Sequence, residues 1–134
     1  MVMTIQGNEE NRNLTCTKNA LVNTTDYGWR KLYASESTTN RFSDEGKANT
    51  TNGTGVVYLD PIYMETVNTN VSTAEGDYTV HLTAYGKASL YAEAQYDDRF
   101  VVKSADGSDV RFSWQVSALR RGYEQYRLEE WNNG

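Results

Sequence analysis

Cysteine and histidine are almost missing from this sequence of 134 residues, which contains one cysteine, Cys16, and one histidine, His81. A single thiol excludes a disulfide framework within the chain and removes the common zinc signatures, which combine several cysteines and histidines. Because His81 lies far away in the sequence, we interpret Cys16 as a small buried or strand-edge residue rather than a nucleophile. A chain of this kind is typical of a protein assembled in a cytoplasm.

Long apolar runs and an excess of basic charge are also missing. No stretch approaches the roughly 18 consecutive apolar residues of a membrane span, and residues 1–7 have neither the basic nor the apolar region of a signal peptide. With 18 acidic against 13 basic residues the formal net charge is −5, which disfavours nucleic acids and anionic membranes as partners. The sequence therefore predicts a protein without nucleic-acid binding or membrane insertion.

The length of the chain corresponds to one domain. Residues 1–12 carry little hydrophobic pattern, and we interpret them as a flexible lead-in or as the end of a preceding stalk. Residues 13–134 are predicted to form a single β-domain.

The clearest strand signal lies between residues 99 and 119. From Val110 onward apolar and polar residues alternate, which is the period of a strand with one buried face. The alternation predicts that Trp114 is buried on the same face as Phe112 and Val116. Asp106-Gly107 supplies the residues with positive φ that a tight reversal requires, so residues 99–103 and 110–119 are predicted to pair as a hairpin.

The remaining pattern favours short strands joined by turns, with a meander order in the second half. Residues 35–54 are polar and contain only Phe42 as a large apolar anchor, so they are predicted to form irregular turns. Asp60-Pro61 is typical of a helix start, and a short helix is predicted near residues 60–67. The predicted fold class is all-β, an antiparallel meander or sandwich with one short helix.

A series of blocks along the chain resembles the C-terminal domain of bacteriophage tail-fibre, tail-spike and related tail-associated proteins, which also occurs in prophage-like bacterial proteins. The blocks are residues 14–22, 27–28, 32–37, 57–69, 80–86, 100–102 and 112–123, of which residues 59–69 and Arg121-Gly122-Tyr123 are the most specific. The resemblance implies a virion structural module that caps a trimeric stalk, and it brings no catalytic residues with it. One departure is the segment after Phe42, which is poorer in glycine here than is usual for that family.

Catalytic and metal chemistry is disfavoured by the residue pattern. His81 lies in the middle of a predicted strand, facing away from Val80 and Leu82, without an evident proton-transfer partner. Asp97, Asp98, Asp106 and Asp109 flank the predicted hairpin, but their spacing lacks the pattern of a calcium loop. Two carboxylates across a cleft would suit glycoside hydrolysis, although a small β-domain suggests no cleft. We expect no enzyme activity, no cofactor and no metal.

Aromatic residues are the better candidates for binding, since flat rings stack on sugars or on another protein. The predicted ligand-binding residues are Trp29, Tyr85, Tyr91 and Tyr96, with the polar segment 35–54 as their complement. The alternative is that these rings belong to the core or to a subunit interface.

The C-terminal segment allows two interpretations. Arg120, Arg121, Tyr123 and Tyr126 are predicted to reach a neighbouring subunit, where arginine and aromatic side chains concentrate binding energy. The alternative is ordinary ion pairing on the surface.

The leading hypothesis is therefore a non-enzymatic phage virion protein, a homotrimeric cap or tip of a tail fibre that contacts a host-surface polysaccharide or protein. A monomeric carbohydrate-binding β-sandwich attached to an enzyme is one alternative. An intramolecular trimerisation chaperone that cleaves itself from the fibre is another.

Overall fold

The computed structural model describes residues 19–33 and 37–131, and within these ranges the chain forms eight β-strands and one short α-helix. All strand pairs are antiparallel, so the predicted fold class is confirmed. The predicted strand at residues 14–17 and the interpretation of Cys16 lie outside the described residues. The elements are β1 (Asn19–Thr24), β2 (Gly28–Tyr33), β3 (Arg41–Asn49), β4 (Thr54–Tyr58), α1 (Pro61–Thr66), β5 (Thr79–Tyr85), β6 (Leu90–Gln95), β7 (Arg99–Ser104) and β8 (Arg111–Leu119).

Two three-stranded sheets enclose the core. The first sheet has the order β3-β8-β5 and the second has the order β4-β7-β6, while β1 and β2 form a separate hairpin. Phe112 and Val116 from the first sheet and Phe100 and Val102 from the second are all fully buried. The rings of Phe100 from the second sheet and Trp114 from the first meet edge to face. Their centroids are 5.8 Å apart and their planes form an angle of 71°. The two sheets therefore pack as a sandwich.

The predicted hairpin between residues 99–103 and 110–119 is wrong, because β7 and β8 lie in different sheets. Gly107 has the expected positive φ of 78°, yet the chain crosses from one sheet to the other after this turn. Val110 exchanges hydrogen bonds with Thr50 instead: the Thr50 N–H donates to the Val110 carbonyl at 2.9 Å, and the Val110 N–H donates to Thr50 Oγ1 at 2.8 Å. The meander order is likewise limited to β6 and β7, since β5 and β6 belong to separate sheets.

The polar segment 35–54 does not form irregular turns throughout, because it contains β3, a strand of nine residues. β3 pairs with β8 along its whole length, from Arg41 opposite Leu119 to Asn49 opposite Arg111. The alternation of apolar residues is interrupted at Asp44 and again at Gly46, where the Trp114 side chain of the neighbouring strand β8 takes the space that a side chain would occupy. An ideal Cβ on Gly46 would lie 2.6 Å from Trp114 Cζ2.

Helix α1 begins where the sequence predicts. Asp60 is the N-cap and its Oδ1 accepts the N–H groups of Ile62 at 2.7 Å and Tyr63 at 3.3 Å, while Pro61 occupies the first helical position. The Tyr63 hydroxyl donates to the Phe42 carbonyl at 2.8 Å, and burial raises the pKa of Tyr63 well above its usual value. The helix is therefore anchored to the start of β3.

Replacing Asp60 with alanine should lower the free energy of unfolding by roughly 0.5–2 kcal/mol, because two first-turn N–H groups lose their acceptor. Urea denaturation of the variant beside the parent protein measures this change. Asp60→Asn is the matched control, since it keeps Oδ1 as an acceptor and should lose less. If Asp60→Ala leaves stability unchanged and weakens ligand binding, Asp60 is a ligand-binding residue rather than a cap.

Candidate functional site

The outer face of the second sheet carries an exposed aromatic and apolar surface. Side chains alternate along β4, so that Gly55 and Val57 face the core while Val56 and Tyr58 face solvent, 46% and 69% exposed. The same side of β7 and β6 adds further rings and a valine. We call this surface the aromatic face; it consists of Val56, Tyr58, Tyr91, Tyr96 and Val101.

Strand register places these residues side by side. Val56 lies opposite Val101, and Tyr58 lies opposite Arg99. The Arg99 guanidinium stacks 4.2 Å from the centroid of the Tyr96 ring. The aromatic face therefore has an apolar centre with tyrosine rings towards its borders.

Charged residues at the borders of this face are paired with each other. Arg99 Nη1 lies 2.7 Å from Asp98 Oδ1, and Lys103 Nζ lies 3.3 Å from Glu93 Oε2. These exposed pairs add little stability, but they leave the aromatic face without net charge. Because each of these charges already has a partner, the face can be covered without leaving an unpaired charge, which would weaken binding.

A buried tyrosine supports the turn between β6 and β7. The Tyr78 hydroxyl lies 2.8 Å from the Tyr96 carbonyl oxygen and 2.9 Å from the Arg99 carbonyl oxygen, and burial raises the pKa of Tyr78 well above its usual value. Gln95 Nε2 donates to the Tyr78 carbonyl at 2.6 Å. Tyr96 and Arg99 are thus held on a rigid turn.

The four aromatic residues predicted to bind a ligand do not converge. Tyr91 and Tyr96 lie on the aromatic face, whereas Tyr85 lies on the outer face of the first sheet, with Lys47 Nζ 5.6 Å from its ring centroid. Trp29 lies on the β1-β2 hairpin and is 68% exposed. The segment predicted as their polar complement contains β3, which lies at the edge of the first sheet.

The sequence pattern alone does not identify Val56 and Tyr58 as surface residues. The signal was present in the alternation at residues 56–59, of which Val57 and Leu59 are buried. A short run of apolar residues does not show by itself which of them face solvent.

The outer face of the first sheet is polar. Glu45, Gln115 and His81 lie side by side in one row across its strands. His81 is exposed, in agreement with its predicted position opposite Val80 and Leu82. This sheet therefore offers hydrogen-bonding groups, in contrast with the aromatic face.

A polar cleft of about 380 Å³ lies at one end of the sandwich, between the β5-β6 turn and the start of the β7-β8 connection. Hydrogen bonds from Ser108 and Ser104 hold the pKa of Asp106 down at about 2, and the Asp106 side chain is exposed. The cleft therefore presents an ionised carboxylate at every physiological pH. Its lining residues are Gly86, Lys87, Ala88, Ser89, Ala105 and Asp106.

Arg120, predicted at a subunit interface, is buried within its own chain, with 5% of its surface exposed. Its guanidinium stacks 4.2 Å from the Tyr123 ring centroid and lies 5.5 Å from that of Phe42, while Nη2 donates to the Leu21 carbonyl at 3.3 Å. Nη1 has no hydrogen-bond partner in the part of the chain that the structure describes, and burial lowers the pKa of Arg120. This side chain therefore joins the C-terminal segment, β3 and the β1-β2 hairpin of one chain.

The other residues of the predicted interface are more accessible. Arg121 Nη2 donates to the carbonyl of Met64 at 3.1 Å, near the end of α1. The rings of Tyr123 and Tyr126 are 5.9 Å apart, and Tyr126 is exposed. Of the four residues, Arg121 and Tyr126 are exposed and thus accessible to a partner.

Two of the carboxylates considered as calcium ligands accept hydrogen bonds from loop backbone N–H groups instead. Asp97 Oδ1 accepts the Val71 N–H at 3.0 Å, and Asp109 Oδ1 accepts the Gly53 N–H at 3.4 Å. Among residues 19–33 and 37–131, no group of three histidine, cysteine, aspartate or glutamate side chains is arranged to hold a metal ion. No helix in these ranges is long and apolar enough to cross a membrane.

No family model matches this chain, and no curated protein matches it either. The resemblance to the C-terminal domains of tail fibres therefore stays an expectation that rests on the sequence blocks quoted above.

Proposed function

We propose that this chain is a non-enzymatic structural domain of a bacteriophage tail fibre or related virion appendage, assembled in the host cytoplasm. It forms a homotrimer through the aromatic face and presents the polar cleft to the host surface. The resemblance of the sequence to tail-fibre C-terminal domains supports the trimer. The observation that carries the proposal is the aromatic face itself.

An exposed group of apolar and aromatic residues on a rigid sheet marks an interaction surface. Tyrosine is enriched at the centres of protein interfaces because its ring gives a large contact area. Tyr58 is 69% exposed although it lies on a strand whose other face is in the core. Covering this ring with a second copy removes its apolar surface from water.

The edge of the first sheet is less suited to assembly than the face of the second. β3 is an edge strand, and Asp44 lies on its inner side in line with buried Phe42. Burial raises the pKa of Asp44, so holding its charge on the inner side costs some stability. An inward-pointing acidic side chain on an edge strand disfavours pairing of β3 with the edge of another sheet.

The molar mass in solution tests the assembly. Light scattering of the purified chain at micromolar concentration should return about three chain masses, as expected for a closed cyclic assembly. A monomer would overturn the trimer and favour the carbohydrate-binding module that is its alternative. A measured mass below that of the intact 134-residue chain would favour the self-cleaving chaperone.

Val56→Lys should convert the trimer to a monomer, because it places a charge at the apolar centre of the aromatic face. Thr83→Lys is the matched control. Thr83 is likewise exposed on the outer side of an edge strand, but it belongs to the first sheet and so lies outside the aromatic face. The control should remain a trimer with the thermal stability of the parent. If both variants behave alike, the chains meet through another surface.

A further inference from the structure

We infer that the polar cleft binds one unit of a neutral or zwitterionic saccharide through Lys87, Ser89 and Asp106. This inference rests on the proposed function and identifies the class of host molecule that the domain recognises. It concerns the end of the sandwich and is separate from the contact between copies.

The walls of the cleft are held by main-chain hydrogen bonds. The Ala105 N–H donates to the Ser89 carbonyl at 2.9 Å and joins the two turns directly. Within the second turn the Gly107 N–H donates to the Ser104 carbonyl at 3.1 Å. The cleft is therefore formed before a ligand arrives, which reduces the entropy cost of binding.

The carboxylate in the cleft is oriented by the two serines of the turn. The Ser104 hydroxyl donates to Asp106 Oδ1 at 2.7 Å, and the Ser108 N–H donates to the same oxygen at 3.0 Å. The Ser108 side chain also hydrogen-bonds to this carboxylate, which has about four acceptor sites and so retains capacity to accept a ligand hydroxyl. A fixed carboxylate forms stronger hydrogen bonds to ligand hydroxyls than a neutral acceptor does.

The other groups of the cleft complement this acceptor. Lys87 contributes an exposed ammonium, and Ser89 contributes a hydroxyl that both donates and accepts. One positive and one negative group leave the cleft without net charge, while the chain as a whole carries −5. This balance disfavours strongly anionic polymers and suits a ligand with many uncharged donors and acceptors.

The size of the cleft agrees with a small hydroxylated ligand. Its volume of about 380 Å³ is near the lower end of the range of about 300–1,000 Å³ for small-molecule sites. The lining is mostly polar, so a saccharide suits it better than an apolar ligand.

The test begins with an array of bacterial cell-surface glycans, which identifies a ligand for the intact chain. NMR titration with the constituent monosaccharides should then shift the amide signals of residues 86–89 and 105–107 and leave those of β3 unchanged. We expect millimolar affinity for a single sugar unit, as is usual for a shallow polar site.

Asp106→Asn and Lys87→Met should each weaken glycan binding at least about tenfold, because each removes a charged hydrogen-bonding partner. Asp106→Asn retains Oδ1 as the acceptor for Ser104 and Ser108, and Lys87 is exposed, so both variants should remain folded, which circular dichroism checks. The matched controls are Asp77→Asn and Lys47→Met, exposed residues outside the cleft, which should bind as the parent does.

The outcomes separate this inference from the proposed function. A folded trimer that binds no glycan on the array overturns the saccharide site and leaves assembly as the function. Binding that survives both Asp106→Asn and Lys87→Met also overturns the site. A monomer whose glycan binding is lost in these variants overturns the trimer and supports the cleft.

Discussion

Replacing Trp114 with alanine should lower the free energy of unfolding by about 3 kcal/mol, the lower end of the range for large aromatic truncations in a core. The Trp114 indole packs against the core and meets the Phe100 ring edge to face. The loss includes the buried apolar surface, the ring contact and the cavity that remains above Gly46. The lower end applies because Trp114 is half-buried, whereas the sequence predicted that it is buried.

Trp29→Ala is the matched control, since the same residue type is truncated at a site that is 68% exposed on the β1-β2 hairpin. Its effect should stay within about 0.5 kcal/mol, as is usual for surface positions. Urea denaturation followed by circular dichroism compares both variants with the parent. Equal effects of the two substitutions would show that Trp114 does not hold the two sheets together.

Gly46→Ala should destabilise the protein by about 1–3 kcal/mol, the usual cost of adding a methyl group to a packed site. An ideal Cβ at this position would lie 2.6 Å from Cζ2 and 2.9 Å from Cε2 of Trp114. These atoms belong to a rigid ring system in contact with the core, so β3 or the indole must shift.

The double variant Gly46→Ala/Trp114→Ala separates this contact from other effects of alanine. Once the indole is absent the added methyl group meets open space, so Gly46→Ala should then cost little or nothing. The two single effects should therefore be strongly non-additive, as expected for residues in contact. Additive effects in urea denaturation would mean that Gly46 is required for its backbone rather than for the space above it.

The sequence by itself determined the features that depend on neighbouring residues. The alternation in β8 predicted its buried face with Phe112 and Val116, because side chains of a strand alternate with period two wherever the strand lies. The start of α1 was predicted correctly because Asp60 and Pro61 act within one helical turn. The antiparallel β class followed from many such local patterns.

Only the tertiary structure decided which strands pair. β7 and β8 are adjacent in sequence but lie in different sheets, and an amphipathic strand can pair with any partner that covers the same face. β3 was missed because its inward-facing positions include the polar Asp44 and also Gly46, whose room for Trp114 is a contact across the sheet that no local pattern shows.

The candidate site likewise combines residues that the sequence identifies with a grouping that only the tertiary structure decides. Tyr91 and Tyr96 were predicted to bind from their residue type and position, but their grouping with Tyr58 depends on pairing between β4, β7 and β6. The polar cleft lies where the pairing of β6 with β7 brings Ser89 and Ala105 together, and a main-chain hydrogen bond joins these two residues. Arg120 was predicted on a surface and is buried, since a long side chain carries no local signal of what will cover it. Residue chemistry is a property of the sequence, whereas the distances between residues far apart in the chain are set by the packing of the two sheets.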